Sequence, residues 1–264
     1  MSAAAGSVVL MYHAVPDGVL GPDDADPHYS VSMAQFRAHL RLFADLGLRP
    51  SSVRDLLPHR GLPSASRGLA LTFDDGHQSN FAAFAELAAH GGSADFFINP
   101  MTVGATGYLT WAQLREMAAA GASIQSHGLN HVFLDELPAA KVEMELALSR
   151  RRIEDQLGQP AELFAPPNGR MPAGLTQQAR ELGYSAICSS RPGVWLDPHA
   201  AEIARVAVLA ATSTATLEGW LRRSPWTIGP ALVRASLLRS GKRLLGNGRY
   251  MAVRRALLRE HRAP

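Results

Sequence analysis

Leu69-Ala70-Leu71-Thr72-Phe73-Asp74-Asp75-Gly76 is an apolar run that ends in two adjacent carboxylates. The run from Leu69 to Phe73 reads as a strand buried on both faces, as in a parallel sheet. Gly76 then permits a sharp turn, and Asn80 to Ala89 read as a helix. Two acids at the end of a buried strand are costly unless paired, and a cation is the usual partner. Asp-Asp-Gly is also ordinary turn chemistry. The choice between turn and site depends on what else the chain brings to the same place.

Working outward, the pattern repeats. Ser7 to Tyr12 is a β-prone run that delivers His13, and a Gly/Pro/Asp-rich loop follows over Asp17 to Ser30. Ser32 caps a helix expected over Met33 to Leu46, and a shorter helix is expected from Ser52 to Leu57. Beyond the opening strand, Ser93 to Ile98 and Ala122 to Ser126 read as strands, with a helix from Trp111 to Ala120 between them. A long helix from Pro138 to Leu157, a strand from Leu163 to Ala165, and a helix from Pro172 to Leu182 come next. Strands over Ser185 to Cys188 and Ile203 to Val208 complete the body. Such β–α alternation predicts a closed or nearly closed barrel of about seven parallel strands. No GxxxxGK[ST] or GxGxxG motif is present, so nucleotide chemistry has no support.

Parallel barrels carry their working groups at the carboxyl ends of strands. Reading those ends gives His13, Asp74, Asp75, His127 with His131, Asn168 and Arg205. His127 and His131 are four apart, so one helical turn after the strand would face both imidazoles the same way. Two imidazoles and a carboxylate suit a divalent metal that keeps an open position.

Thr72-Phe73-Asp74-Asp75-Gly76 followed by Ser126-His127-Gly128-Leu129-Asn130-His131 resembles the polysaccharide deacetylases, the NodB-homology or family 4 carbohydrate esterases. Met11-Tyr12-His13-Ala14-Val15 resembles the amino-terminal signature of their exopolysaccharide-deacetylase branch, and Phe164-Ala165-Pro166-Pro167-Asn168-Gly169 resembles that branch's third motif. The resemblance implies a distorted (β/α) barrel that hydrolyses the N-acetyl group of an amino sugar with a divalent metal, Zn2+ being the expected ion. It implies Asp75, His127 and His131 as metal ligands and Asp74 as general base. The backbone N–H of Asn168 would meet the oxyanion, and His13 would be the general acid.

Two positions depart from the family pattern. Ala165 stands where an Arg commonly orients the catalytic Asp, and the late Leu-x-His motif is absent from Ile203-Ala204-Arg205-Val206-Ala207-Val208. Arg205 is expected to supply the missing guanidinium, with His199 a second candidate for the acid and Trp195 and Asp197 candidates for the substrate side. These departures keep open a sugar-binding barrel without catalysis, and an amidohydrolase of the same barrel acting on a small cyclic amide is a further alternative.

Composition bounds the setting. The chain has 264 residues and one cysteine, Cys188, so an internal disulfide is excluded and a reducing compartment is expected. Met1 to Leu10 shows neither a basic region nor a long apolar one, which adds to the expectation of a cytoplasmic protein. Net charge is +3, yet residues 221–264 carry 11 basic side chains against Glu260 alone. The chain therefore divides into a barrel over 1–220 and a basic amphipathic helical tail over 221–264, where Val233, Leu237 and Leu244 fall at helical spacing. Such a tail suits anionic membrane on the inner face and a lipid-linked glycan as an alternative substrate to a free polysaccharide. One Tyr and no recognition motif in the tail argue against nucleic acid.

Overall fold

Side chains along the strands alternate between two environments, and this decides which face meets which layer. In β1 (Ser7–Tyr12), Val8, Leu10 and Tyr12 join one buried cluster while Val9 joins another. Leu69, Leu71 and Phe73 separate from Ala70 in the same way, as Phe96 and Ile98 do from Phe97. The period of two places the first set under the surrounding helices and the second inside the sheet. The computed structural model describes residues 6–18, 25–57, 68–197 and 199–224.

Beyond β1, the chain adds β2 (Pro50–Ser51), β3 (Gly68–Phe73), β4 (Asp95–Ile98) and β5 (Ser123–Ser126). Next come β6 (Leu163–Phe164), β7 (Ala186–Cys188), β8 (Val194–Trp195), β9 (Glu202–Ile203) and β10 (Val206–Ala207). The sheet runs β10-β1-β3-β4-β5-β6-β7-β9, every pairing along it parallel. β9 and β10 are consecutive, so together they are one bent strand whose amino half pairs with β7 and whose carboxyl half pairs with β1. That strand closes a seven-membered parallel barrel, the architecture expected from the alternation. Its bend corrects the expected single strand from Ile203 to Val208. Ala204 and Arg205 leave the ladder where the strand changes neighbours, and the Arg205 N–H turns to the carbonyl of Arg191 at 3.0 Å.

Helices cover the outside. α1 (Met33–Asp45) starts where the Ser32 hydroxyl accepts the Gln35 N–H, and its Phe36, Leu40 and Phe43 are buried against the β1–β3 face. α2 (Asn80–Ala89) and α3 (Trp111–Ala119) complete that layer, the latter through a Thr110/Gln113 capping box. α4 (Ala139–Leu157) and α5 (Leu175–Glu181) pack Val142, Leu146, Leu175 and Ala179 on Phe164 and Ile187. Truncating an aromatic such as Phe36 here would cost about 3–5 kcal/mol. α6 (Thr214–Leu221) lies beyond the predicted elements and buries Leu217 and Trp220 in the α1 layer. The helix expected from Ser52 is only a 3-10 turn over Arg54–Leu56.

β8 runs antiparallel to the start of β1, with Ser7 opposite Trp195. Trp195, Asp197 and, before β9, His199 therefore sit at the amino end of the barrel, which corrects their expected place beside the substrate. Cys188 is buried among the interior residues. No helix of the described residues is long and apolar enough to cross a membrane. The basic segment from residue 225 onward lies outside the described residues.

Candidate active site

The parallel register brings six strand ends to one mouth. β1 delivers His13, β3 delivers Asp74 and Asp75, β4 delivers Asn99, β5 delivers His127, and β6 leads through Ala165 to Asn168. Arg205 enters the same end from the bend of the last strand. All seven side chains expected from the sequence thus gather at the carboxyl face.

Asp74 and Asp75 diverge because the backbone turns over between them. Asp75 adopts a left-handed φ of 74° and Gly76 follows at 69°, so the two neighbouring carboxylates face different partners. A left-handed non-glycine residue costs about 1–2 kcal/mol, so the neighbouring structure must hold it there. Asp74 turns inward and is buried. Its Oδ1 accepts from Arg205 Nη1 at 2.6 Å and its Oδ2 from Arg205 Nη2 at 2.8 Å. The guanidinium also donates to Thr72 Oγ1 at 3.1 Å and through Nε to the Ser189 carbonyl at 3.1 Å, and it lies over the Phe97 ring. Burial pushes the Asp74 carboxyl up, but the Arg205 charge and hydrogen bonds outweigh it and hold it below the usual range.

Asp75 turns to the imidazoles. Its Oδ1 lies 3.2 Å from His127 Nε2 and 3.1 Å from His131 Nε2. Against burial, these contacts keep its carboxyl well below the ordinary range. The three donor atoms lie within 4.8 Å of one another, a spacing that one ion can span. His127 Nδ1 is 2.8 Å from the Ala165 carbonyl, so that nitrogen carries the hydrogen and Nε2 presents its lone pair to the cluster. Two imidazole nitrogens and one carboxylate, with a fixed tautomer, fit a divalent cation. The loop that carries them is not the helical turn expected from the four-residue spacing. Gly128 at φ 80° and His131 at φ 55° instead fold it back in left-handed steps.

Other contacts, invisible in the sequence reading, set this loop. Asn99 Nδ2 donates to the carbonyls of His127 and Gly128. Glu145, buried on α4, accepts the Leu129 N–H at 2.7 Å and the Asn130 N–H at 3.0 Å on one oxygen. Its other oxygen accepts Asn130 Nδ2 at 2.6 Å. The Asn168 turn is fastened to the same region by Arg170, whose Nη1 reaches Asp135 at 3.0 Å and whose guanidinium covers Phe133. Asn168 itself sits at φ 56°, exposed, and its N–H meets no acceptor among the described residues.

His13 follows β1, the strand beside that of Asp74, and the Asp74 N–H donates to the Tyr12 carbonyl at 3.0 Å. Asn80 Nδ2 holds the His13 carbonyl at 2.7 Å, and Ser79 Oγ accepts the Val15 N–H at 2.8 Å. The His13 ring packs on Tyr29, with centroids 4.6 Å apart. Its Nδ1 is buried without a partner among the described residues. Burial lowers its pKa, and Asp75 and Asp74 offset this only in part.

The sequence profile described as "Polysaccharide deacetylase" matches residues 62–187, the span that holds Asp74, Asp75, His127, His131 and Asn168. Over that span the chain is similar to the polysaccharide deacetylases. Its match to the YxkH protein of Bacillus subtilis (strain 168) is 29% identical over 189 residues, covering 70% of this chain and 64% of that one. This chain therefore aligns with less than two thirds of YxkH. Among solved structures, the deacetylase PplD of Streptococcus pyogenes, in complex with acetate, is similar with a TM-score of 0.71 and 25% identity. That match covers 82% of this chain and 98% of PplD. BC0361, a polysaccharide deacetylase from Bacillus cereus, has the same fold with a TM-score of 0.71 and 24% identity, covering 82% of this chain and 69% of that one.

Proposed function

We propose that the protein is a polysaccharide deacetylase, a divalent-metal-dependent hydrolase that removes the N-acetyl group from an amino sugar in a polysaccharide or glycoconjugate. The observation that carries the reading is the Arg205-bound Asp74 standing next to the Asp75–His127–His131 cluster. Acetate held by the PplD relative is the product such a reaction would leave.

The chain's own residues then divide the work. Asp75, His127 and His131 would hold the cation, Zn2+ being the expected ion for this donor set. Such an ion would supply Lewis acidity toward the acetamide carbonyl and lower the pKa of water from 15.7 toward ~7. Asp74 stays ionised against Arg205, which occupies only one lone pair on each oxygen, so it can still accept the proton of the attacking water. The Asn168 N–H meets the charge that develops on the carbonyl oxygen, a contribution of about 3 kcal/mol. His13 gives a proton to the amide nitrogen as the C–N bond breaks, so acetate and a free amine leave.

Acetate release from N-acetylglucosamine oligomers, measured with metal content, tests the proposal. An Asp74→Asn protein as active as wild type would sink the assignment of the base. Metal uptake without acetate release would favour the non-catalytic or cyclic-amide alternatives.

The setting is a separate reading. Net charge in residues 221–264 is +10, which supports a peripheral hold on anionic membrane at the cytoplasmic face and a lipid-linked glycan as substrate. Liposome sedimentation with and without residues 221–264 decides it, and equal binding by both forms rules the hold out.

A further inference from the structure

The geometry points to Glu145 as the positioning residue that sets the metal-binding loop, an inference that rests on the metal-dependent reading above. Beyond the His127 N–H, which donates to the Ile98 carbonyl at 2.9 Å, the segment to His131 has no helical or ladder bond to fix it, and it contains two left-handed residues. Its shape is imposed from outside. Asn99 receives the loop's carbonyls, those of His127 and Gly128. Glu145 receives the donors that follow, the N–H groups of Leu129 and Asn130 and the Asn130 side-chain amide.

Glu145 is buried, and its carboxylate forms no ion pair among the described residues. A buried charge without a cation needs other compensation, and here three N–H donors converge on it. Contact is close on the other side as well, since a Cβ added at Gly128 would lie 3.4 Å from Glu145 Oε2. The anion therefore draws Leu129 and Asn130 toward α4 and leaves His131 to swing back over Asp75 at 3.1 Å. Its neighbours on α4, Val142 and Leu146, do the ordinary packing of that helix. Glu145 does something different, because its polar atoms address the loop.

A swap of hydrogen-bond roles tests this. Glu145→Gln keeps the volume but removes the charge on which the three N–H donors converge. Glu145→Gln with Asn130→Asp restores a donor–acceptor pair, whereas Asn130→Asp alone opposes two carboxylates. The readout is Zn2+ affinity of the full chain by competition with a chromophoric chelator, alongside thermal unfolding. Glu145→Gln is expected to weaken Zn2+ binding by about 10–100-fold, as loss of a ligand-orienting partner does. The double variant should recover most of that loss, and Asn130→Asp alone should bind no better than Glu145→Gln. Val142→Ala, destabilised on the same helix, should unfold earlier with affinity unchanged. Wild-type affinity retained within twofold by Glu145→Gln would overturn the inference alone. Wild-type protein that binds Zn2+ no better than Asp75→Ala would instead overturn the metal site itself.

Discussion

Arg205 holds both oxygens of Asp74, at 2.6 and 2.8 Å, from 131 residues away in sequence and from the strand that flanks β1 on the side opposite β3. Both side chains are almost wholly out of solvent. A fork-to-fork pair of this kind fixes direction as well as charge, which a single ammonium cannot do. Arg205→Met should leave a buried carboxylate unpaired and cost about 3–5 kcal/mol in urea unfolding. Arg205→Lys should keep most of that stability yet lower kcat on the order of 10²-fold through misalignment of Asp74. Equal losses of stability in both variants would argue that charge alone matters.

His13 is separable from the metal ligands by choice of substrate. An amide needs its leaving nitrogen protonated, whereas an activated ester such as 4-nitrophenyl acetate does not. His13→Ala should lose about 10²–10⁴-fold in kcat on N-acetylglucosamine oligomers and keep most of its esterase rate, with Zn2+ content unchanged. Parallel loss on both substrates would remove His13 from the role of acid.

Two glycines with nearly the same backbone distinguish strain from function. Gly169, at φ 64°, would place an added Cβ 2.7 Å from Ser190 Cβ, a contact that forces the Asn168 turn to move. Gly158, at φ 65°, ends α4 in open space. Both Gly→Ala changes should cost about 1–2 kcal/mol from the left-handed backbone. Only Gly169→Ala should also lower kcat, by tenfold or more if the Asn168 N–H meets the oxyanion. Denaturation curves and initial rates on the two variants check this.

Acid–base titration of stability should report a group far from the site. Asp95, fully buried at the start of β4, accepts the Val53 N–H at 2.5 Å, and burial pushes its pKa up from 3.8 to about 7. The folded value lies above the unfolded one, so the native state binds this proton more tightly. Its contribution is complete below about pH 4, falls as pH rises to about 7 and is flat beyond, a total of about 4 kcal/mol. His39 works in the opposite sense. Burial lowers its pKa to about 4, so its contribution is lost as pH falls from 6.5 toward 4. The difference between wild type and Asp95→Asn isolates the first effect. The two should be nearly equal in urea midpoint at pH 4, with Asp95→Asn the more stable at pH 8. A constant difference across that range would place the titration elsewhere.

Chelation offers the simplest test of the ligand set. Removing metal should abolish acetate release and leave far-ultraviolet circular dichroism unchanged, because the barrel core does not pass through Asp75, His127 or His131. Zn2+ should restore the rate in wild type but not in His131→Ala.

The barrel and the polar residues gathered at its mouth were both legible in the sequence, because the strands that end there carry a distinct polar signal after a β-prone run. Leu69–Phe73 before Asp74 and the run before His127 are local patterns that need no tertiary information. What escaped was set by contacts between distant parts of the chain. Four-residue spacing between His127 and His131 fits a helical turn, but the carboxylate of Glu145 and the amide of Asn99 favour a left-handed loop. In the sequence Glu145 looks like one more acid on an amphipathic helix, since nothing nearby marks it as buried. Ile203 to Val208 likewise reads as an uninterrupted strand, and only the need to serve two neighbours bends it at Arg205. Trp195 reads as a substrate-side aromatic until its pairing with Ser7 puts it at the far end.

The bent last strand has a consequence for motion. It is joined to β7 and to β1 by two register positions on each side, whereas β1 and β3 share six. Hydrogen exchange should therefore reach this strand before the β1–β3 ladder, where more bonds must break. Arg205 sits at the bend and Asp74 follows β3, on the far side of β1, so their ion pair braces the two-position join between β10 and β1. A fluctuation that parts that join also pulls the Asp74 carboxylate from its guanidinium. Closure of the cylinder and orientation of the Asp74 carboxylate are then a single equilibrium, and protection of this strand from exchange should fall as the pair is lost.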